Sequence, residues 1–185
     1  MFEGLSFALA PGDALLVQGP NGSGKSSLLR VLAGFLPPAA GRLAWEGAAV
    51  VADPAAHRAR LHYIGHADAI KPALSARENL EFAASLAGGP AGTGRTLEAF
   101  GLAALADVPC RLLSAGQKRR TALSRLLEPD RPLWLLDEPA VGLDAVSRAR
   151  LEQVLAGHRA GGGIVVLATH GDVAVPDALA LELGP

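Results

Sequence analysis

Short runs of consecutive apolar residues alternate with longer stretches in which apolar residues recur at helical spacing. The run DALLVQGP, residues 13–20, ends in a Gly-rich turn, and the next segment, residues 24–36, carries helical spacing until two prolines stop it. Residues 131–139 and 164–170 are mostly apolar before they end in polar residues, as strands buried on both faces do. This order predicts an α/β core built on a mixed or parallel sheet.

Three shorter segments supply the remaining β structure. Residues 41–47, GRLAWEG, are typical of a hairpin arm with a Glu-Gly turn, which predicts a small antiparallel part. Residues 177–183, DALALEL, suit a last edge strand. Residues 61–64, LHYI, form a strand-like run that turns polar at His66. His66 is therefore a candidate site residue, although a lone histidine at a strand end is more often structural.

The stretch between the two central predicted strands is rich in alanine and leucine. Residues 75–78, SARE, fit a capping box at a helix start, and residues 88–94, GGPAGTG, interrupt the helical spacing. We interpret this stretch as a helical lobe inserted into a single α/β domain. The predicted limits are about 67–127 for the lobe and about 1–66 with 128–185 for the core, within one domain of 1–185.

Composition and charge restrict the classes of function. The 185 residues carry a net charge of −1, so the chain lacks the positive field of a nonspecific nucleic-acid binder. One cysteine, Cys110, excludes an intrachain disulfide and suits a reducing compartment. No uncharged apolar run reaches about eighteen residues, and no basic-then-apolar leader follows Met1. We therefore expect a cytosolic chain whose membrane connection, if any, comes through partners.

Residues 19–27, GPNGSGKSS, contain the spacing G-x-x-x-x-G-K-S between a predicted strand and a predicted helix. Glycines let the backbone turn its N–H groups towards phosphate oxygens, and the positive end of the next helix points at the same place. Lys25 is suited to the β- and γ-phosphates of a nucleotide, and the Ser26 hydroxyl to Mg²⁺. The binding candidates are Gly19, Pro20, Asn21, Gly22, Ser23, Gly24, Lys25, Ser26 and Ser27.

Two adjacent acids, Asp137 and Glu138, end the most apolar of the predicted strands. Ligands of open α/β sheets gather at the carboxyl ends of the strands. Asp137 is suited to a Mg²⁺ shell, and Glu138 to orienting or deprotonating an attacking water. An Asp-Glu-Pro sequence can also be a solvated turn, but the phosphate loop upstream favours the catalytic interpretation.

The segment LSAGQ, residues 113–117, follows the lobe. Ser114 to Gln117 have the S-x-x-Q spacing of a capping box, so a structural role alone explains these residue types. A helix start is also an anion site, with the Ser114 hydroxyl and the Gly116 N–H available to a phosphate. The two roles are compatible. The candidates are Leu113, Ser114, Ala115, Gly116 and Gln117.

In this order and spacing the motifs resemble those of the nucleotide-binding domain of an ABC transporter. Residues 113–117 match its LSxGQ signature, residues 142–145, GLDA, match its D-loop with Asp144 as the acid, and His170 matches its switch histidine. The resemblance implies a P-loop NTPase fold, ATP and Mg²⁺ as cofactors, and ATP hydrolysis with Glu138 and His170 as catalytic residues. It also implies a head-to-tail dimer in which each ATP lies between one phosphate loop and the partner's signature serine.

A narrower resemblance lies in three segments, FEGLSFALAPGDALLVQGPNGSGKSSLLRVLAG, YIGHADAIKPALSARENL and LLSAGQKRRTALSRL. They are similar to the ATP-binding subunit of the cytochrome c maturation haem exporter, which works with integral membrane subunits. This implies a peripheral subunit on the cytoplasmic side of the bacterial inner membrane that binds neither haem nor nucleic acid directly. The alternatives are the ATPase of another small-solute ABC transporter, a soluble non-transport ABC ATPase, and a nucleotide-binding module without turnover.

The chain departs from the general ABC pattern at two places. His66 stands where most ABC domains have a glutamine that meets the Mg²⁺ shell, and a neutral imidazole can accept from a Mg²⁺-bound water. His66 is therefore a metal candidate together with Ser26 and Asp137, and residues 67–74 are the expected contact with membrane subunits. In the family, an aromatic residue that aligns before Met1 usually stacks on the adenine, so we expect no counterpart of it here. We expect weak discrimination between ATP and GTP.

Overall fold

A parallel β-sheet runs through the centre of the molecule. The computed structural model describes residues 2–89 and 93–184, and within these ranges the main sheet has five strands. In chain order the elements are β1 (Ala14–Gln18), α1 (Lys25–Leu32), β2 (Ala44–Trp45), β3 (Ala48–Ala49), α2 (Pro54–Ala59), β4 (Leu61–Ile64), α3 (Ala76–Leu86), α4 (Thr93–Ala99), α5 (Ala115–Ser124), β5 (Leu133–Asp137), α6 (Ala145–Ala160), β6 (Ile164–Ala168) and β7 (Leu179–Glu182).

The strands of the main sheet lie in the spatial order β4-β5-β6-β1-β7, and every neighbouring pair is parallel. The short strands β2 and β3 form a separate antiparallel hairpin. The prediction of a parallel α/β core with a small antiparallel part is therefore confirmed. Parallel strands place their carboxyl ends at one edge, so the segments that follow β1, β4, β5 and β6 meet there.

Alternate residues of the central strands face opposite apolar layers. Leu133 and Leu135 of β5 lie in a buried cluster with α1, whereas Trp134 and Leu136 lie in a second cluster with α6 and Phe100. Since both faces are covered, all five residues of β5 and all five of β6 are buried. This explains why both segments are almost uninterrupted apolar runs in the sequence.

Helices α3, α4 and α5 form the predicted lobe between β4 and β5. A capping box opens α3, in which Ser75 Oγ accepts from the Glu78 N–H at 3.2 Å and Glu78 Oε2 accepts from the Ser75 N–H at 2.7 Å. The predicted break at 88–94 agrees with the end of α3 at Leu86 but extends too far, because α4 begins at Thr93; residues 90–92 lie outside the described ranges. The lobe and the sheet share one apolar cluster. The limits of about 67–127 therefore remain an interpretation.

In the described part of the chain, no helix combines the length and the apolar character needed to cross a bilayer.

His62 on β4 makes the stability of the fold sensitive to acid. Its Nε2 lies 2.7 Å from the carbonyl oxygen of Pro129, to which a neutral imidazole donates. Burial lowers the pKa of His62 to about 4, with the nearby Arg131 acting in the same direction and the Pro129 hydrogen bond opposing it. The unfolded chain takes up this proton near pH 6.5. Neutral His62 therefore stabilises the fold above pH 6.5, and this contribution is lost as the pH falls towards 4.

We expect a His62→Gln variant to be less sensitive to acid than the wild type. Glutamine keeps a donor for the Pro129 carbonyl but cannot be protonated. Between pH 7 and pH 5 the wild type should lose about 2 kcal/mol more free energy of unfolding than the variant. Urea denaturation at several pH values measures this difference. If the free energy of unfolding fell equally with pH in the two proteins, His62 would not be the cause of the loss of stability in acid.

Candidate active site

The phosphate loop, residues 19–27, leaves β1 at the carboxyl edge of the sheet. Gly19 has a φ of +142°, and a Cβ there would be 2.4 Å from the carbonyl oxygen of Leu183 and 2.8 Å from Ser23 Oγ. A side chain therefore does not fit between the loop and the end of β7. Gly24, with a φ of +100°, occupies the N-cap position of α1. Both glycines are required by the backbone path.

Groups suited to an anion line this loop. No described side chain caps α1, and its first turn contains no acid, so its positive end is not neutralised. Lys25 is 7% exposed, and its Nζ donates to the carbonyl oxygens of Gly19 at 2.7 Å and Pro20 at 3.2 Å. Ser23 Oγ is buried and has no hydrogen-bond partner among the described residues. An unpartnered hydroxyl and a cradle that a Cβ would fill fit the phosphates of a nucleotide.

The two acids occupy the end of β5 and the turn after it. Asp137 is 4% exposed and is paired in register with Ala168 of β6. Glu138 has a φ of +48°, a left-handed conformation that costs a non-glycine residue about 1–3 kcal/mol. Its N–H donates to the carbonyl oxygen of Ala168 at 2.9 Å, which helps to hold this backbone. Strain of this kind is typical of functional sites.

His170, two residues beyond β6, lies against Glu138. Its Nε2 is 3.2 Å from Glu138 Oε1, with the histidine side chain 53% exposed and the glutamate side chain 16% exposed. Burial raises the pKa of Glu138, His170 and Lys25 oppose this shift, and the nearby Asp172 adds to it. A carboxylate with a raised pKa is a stronger proton acceptor, which is the property that a general base needs.

The candidate metal ligands come to the same edge without forming a closed cluster. Ser26 lies in the first turn of α1 and Asp137 ends β5. Strand β4 ends at Ile64, which is paired with Leu136, and exposed His66 follows two residues later. Within the described ranges, no group of three or more histidine, cysteine, aspartate or glutamate side chains could hold an ion. The oxygens of Ser26 and Asp137 are donors that Mg²⁺ uses when nucleotide phosphates and water complete its shell. The role of His66 stays a prediction.

The signature, residues 113–117, opens α5 with a reciprocal cap. Ser114 Oγ accepts from the Gln117 N–H at 3.2 Å, and Gln117 Oε1 accepts from the Ser114 N–H at 2.8 Å. The predicted capping box is therefore confirmed. Leu113 is buried, whereas Ser114 and Ala115 are exposed. The polar start of this helix is thus turned outwards while its apolar anchor is fixed in the core.

The start of α5 lies directly against the D-loop. A Cβ on Gly116 would be 2.9 Å from the carbonyl oxygen of Gly142. Asp144 caps α6 by accepting a hydrogen bond from the Ser147 N–H at 2.7 Å. Among the described residues, no hydrogen bond or ion pair joins the signature to the phosphate loop. The two parts of the candidate nucleotide site are not linked by these contacts within one chain.

Three charged residues belong to this edge although no sequence motif pointed to them. Arg119 is 5% exposed and forms an ion pair with Asp68 at 3.0 Å. Asp172 lies near enough to Glu138 to influence its pKa. Residues 118–120 are consecutively basic, so the sequence offered a signal for Arg119. Which of the basic side chains at positions 118–120 is buried depends on how the helix packs, and this cannot be read from the sequence.

An aromatic ring also touches the phosphate loop. A Cβ on Gly24 would be 3.0 Å from Phe2 Cδ1. No motif in the sequence places Phe2 beside the nucleotide site. Discrimination between ATP and GTP stays a prediction.

Known proteins resemble this chain in sequence and in fold. Residues 2–141 match the family described as ABC transporter. The chain is 60% identical over 184 residues to the cytochrome c biogenesis ATP-binding export protein CcmA of Rhodospirillum rubrum, covering 99% of this chain and 79% of that protein. It is 58% identical over 188 residues to the protein of the same name from Paramagnetospirillum magneticum, covering 99% and 87%.

A solved ABC transporter ATP-binding protein from Pyrococcus furiosus has a TM-score of 0.80 and 18% identity, covering 97% of this chain and 88% of that chain. At this identity the likeness shows the fold alone. The family match and the identity to the curated relatives carry the assignment. The chain belongs to the ATP-hydrolysing ATP-binding proteins of ABC transporters, in the group of cytochrome c biogenesis ATP-binding export proteins.

Proposed function

We propose that the protein is the ATP-hydrolysing subunit of a membrane ABC complex that exports or delivers haem during cytochrome c maturation. The observation that carries the ATPase part is the meeting of the phosphate loop, the acids after β5 and His170 at one sheet edge. Such an edge is suited to transfer of a phosphoryl group to water. The haem-related part rests on 60% identity to a cytochrome c biogenesis export protein.

In the proposed reaction, backbone N–H groups of residues 19–27 and the Lys25 ammonium hold the β- and γ-phosphates. The Lys25 Nζ gives up its bonds to the Gly19 and Pro20 carbonyls when the phosphates enter. Glu138 accepts a proton from the attacking water, helped by its raised pKa. His170 orients the Glu138 carboxylate and contacts the γ-phosphate.

We assign Mg²⁺ to Ser26 and Asp137, with His66 as a further ligand through water. The ion supplies charge neutralisation for the phosphates. The Ser26 hydroxyl and the Asp137 carboxylate offer the oxygen donors, and the position of His66 two residues beyond the end of β4, the strand beside β5, supports its inclusion. No other residue is needed for this assignment, because phosphates and water complete an octahedral shell.

The signature is assigned to the nucleotide of a second copy of the chain. Its exposed start at Ser114 and Ala115 supports this assignment, as does its contact with the D-loop through Gly116. Asp144 would lie at the same interface. In this head-to-tail pair the γ-phosphate is the contact that distinguishes the closed dimer from the open one.

The integral membrane subunits are assigned to the side of the His66 loop, residues 65–74. A groove of about 300 Å³ is lined by β4, the strand that leads into this loop, and its lining also includes Phe35, Leu86 and Arg125. Leu86 is 74% exposed and Phe35 is 50% exposed, and two exposed apolar side chains lining one groove favour a protein partner. We place the complex at the cytoplasmic side of the bacterial inner membrane, with haem handled by the membrane subunits.

A complementation experiment tests the proposed function. Deletion of the gene should abolish covalent haem staining of c-type cytochromes, and the wild-type gene should restore it whereas Lys25→Ala should not. The tagged wild-type protein should co-purify with integral membrane subunits. Normal c-type cytochromes in the deletion strain would reject the haem-related part, and loss of uptake or export of another solute would point to the alternative transporter.

We expect His66→Gln to keep a turnover close to that of the wild type. A glutamine oxygen can accept from a Mg²⁺-bound water as an imidazole nitrogen does. His66→Ala removes this acceptor, which should cost about 1 kcal/mol and lower the rate roughly fivefold. Mg²⁺-dependent phosphate release by both variants is the measurement. Equal rates for glutamine and alanine would exclude the acceptor role.

A further inference from the structure

The guanidinium of Arg119 joins three segments of the active site. Its side chain is 6% exposed. Nε donates to the carbonyl oxygen of Pro139 at 3.1 Å, Nη2 to those of Asp137 at 3.1 Å and Glu138 at 2.8 Å, and Nη1 to that of Gly65 at 3.0 Å and to Asp68 Oδ1 at 3.0 Å. These bonds match the five N–H groups of a guanidinium.

One side of this network fixes the backbone that carries the catalytic carboxylate. Glu138 has a φ of +48°, and its N–H is held by the Ala168 carbonyl at 2.9 Å. Arg119 holds the other side of the same residue through the Glu138 carbonyl and through those of Asp137 and Pro139. The direction of the Glu138 side chain depends on this backbone, so it depends on Arg119.

The other side of the network fixes the loop that begins with His66. Arg119 binds Gly65 and Asp68, which flank His66 in the chain. Arg125, the residue that follows α5, donates to the Asp68 carbonyl at 2.9 Å and to the Ala69 carbonyl at 3.5 Å. This loop is therefore held by α5 and its C-terminal end at Gly65, Asp68 and Ala69, whereas the His66 side chain stays exposed.

The same helix starts with the signature. Ser114 and Arg119 lie on the first two turns of α5, and Gly116 abuts the D-loop. If α5 moves when the signature binds a nucleotide, the planar guanidinium of Arg119 would transmit the movement to the backbone of Gly65 and Glu138. We propose that Arg119 is a positioning residue that sets the Glu138 carboxylate and ties it to both the signature helix and the His66 loop.

This inference rests on the proposed role of Glu138 as general base. The experiment uses the full chain in complex with its membrane subunits and measures kcat, KM for ATP and thermal midpoint for each variant. Arg119→Lys keeps the charge but cannot reach four carbonyls and a carboxylate from one ammonium. Its kcat should fall roughly 10- to 100-fold because a small misplacement of a catalytic group has effects of this size, whereas KM should change little.

Two further variants make the outcome decisive. Asp68→Ala removes a partly exposed side chain and keeps the bonds of Arg119 to the four carbonyls, and its kcat should fall about fivefold at unchanged KM. Arg159→Lys is the matched control, because Arg159 also bridges two segments, through the carbonyls of Gly12 at 2.9 Å and Pro176 at 2.7 Å, away from the site. It should lower the thermal midpoint and leave kcat close to that of the wild type.

The results separate this inference from the function on which it rests. A folded Arg119→Lys with normal kcat would overturn the positioning role, and so would a normal kcat for Asp68→Ala if Arg119→Lys does not fold. A raised KM at unchanged kcat would also overturn it. Glu138→Gln is measured beside them. If that variant retains turnover, the proposed general base is wrong, whatever the Arg119 variants do.

Discussion

Replacing Glu138 by glutamine is expected to lower ATP turnover by about 10²- to 10⁴-fold, the range that a general base contributes. Glutamine has nearly the same shape, so the strained backbone and the bond from Arg119 to the main-chain carbonyl are kept. It cannot accept the proton of the attacking water, and it lacks the charge that faces His170 at 3.2 Å. ATP binding should persist, since the phosphates are held by the loop and Lys25.

Two measurements check this expectation. Phosphate release gives the turnover, and size-exclusion chromatography with ATP should show a stable dimer for Glu138→Gln but not for the wild type, which hydrolyses its nucleotide. Glu152→Gln is the control, because the Glu152 carboxylate is an exposed side chain of α6 that accepts from the Ala174 N–H at 2.8 Å and belongs to none of the motifs of the site. Unchanged turnover of Glu138→Gln would reject the assigned role.

Replacing Gly19 by alanine is expected to disrupt the nucleotide site. The new Cβ would be 2.4 Å from the carbonyl oxygen of Leu183, the residue after β7. This oxygen belongs to the backbone, so it cannot move aside as a flexible side chain would. Overpacking costs about 1–3 kcal/mol. A residue with a φ of +142° adds strain of about 1–3 kcal/mol. Relief requires the loop to move, which takes its N–H groups away from the phosphates.

The affinity for ATP should fall by roughly 100-fold, equivalent to about 3 kcal/mol. Equilibrium binding of a fluorescent ATP analogue measures the loss. Gly41→Ala is the matched control: Gly41 has a φ of +88°, and nothing lies within 4 Å of its added Cβ. It carries backbone strain without the clash and should bind ATP like the wild type. Equal affinities of the Gly19 and Gly41 variants would show that the contact with the Leu183 carbonyl does not disrupt the nucleotide site.

The local parts of the site could be predicted because each rests on short-range chemistry. The glycine spacing of residues 19–27 and the cap formed by Ser114 and Gln117 each involve neighbours in the chain. Runs without polar residues likewise predicted β5 and β6 as strands covered on both faces. The lobe and its limits of about 67–127 stay a prediction, because its residues share an apolar cluster with the sheet.

The sequence by itself therefore determined the fold class, the phosphate loop and the family of this protein, since these depend on periodicity and on motifs within a few residues. Only the tertiary structure decided which of the basic residues 118–120 is buried at the acids, and that its side chain binds the carbonyl oxygens of both Gly65 and Glu138. Arg119 and Asp68 are 51 positions apart in the chain. Their contact depends on how α5 packs against the ends of β4 and β5, and no local pattern encodes that packing.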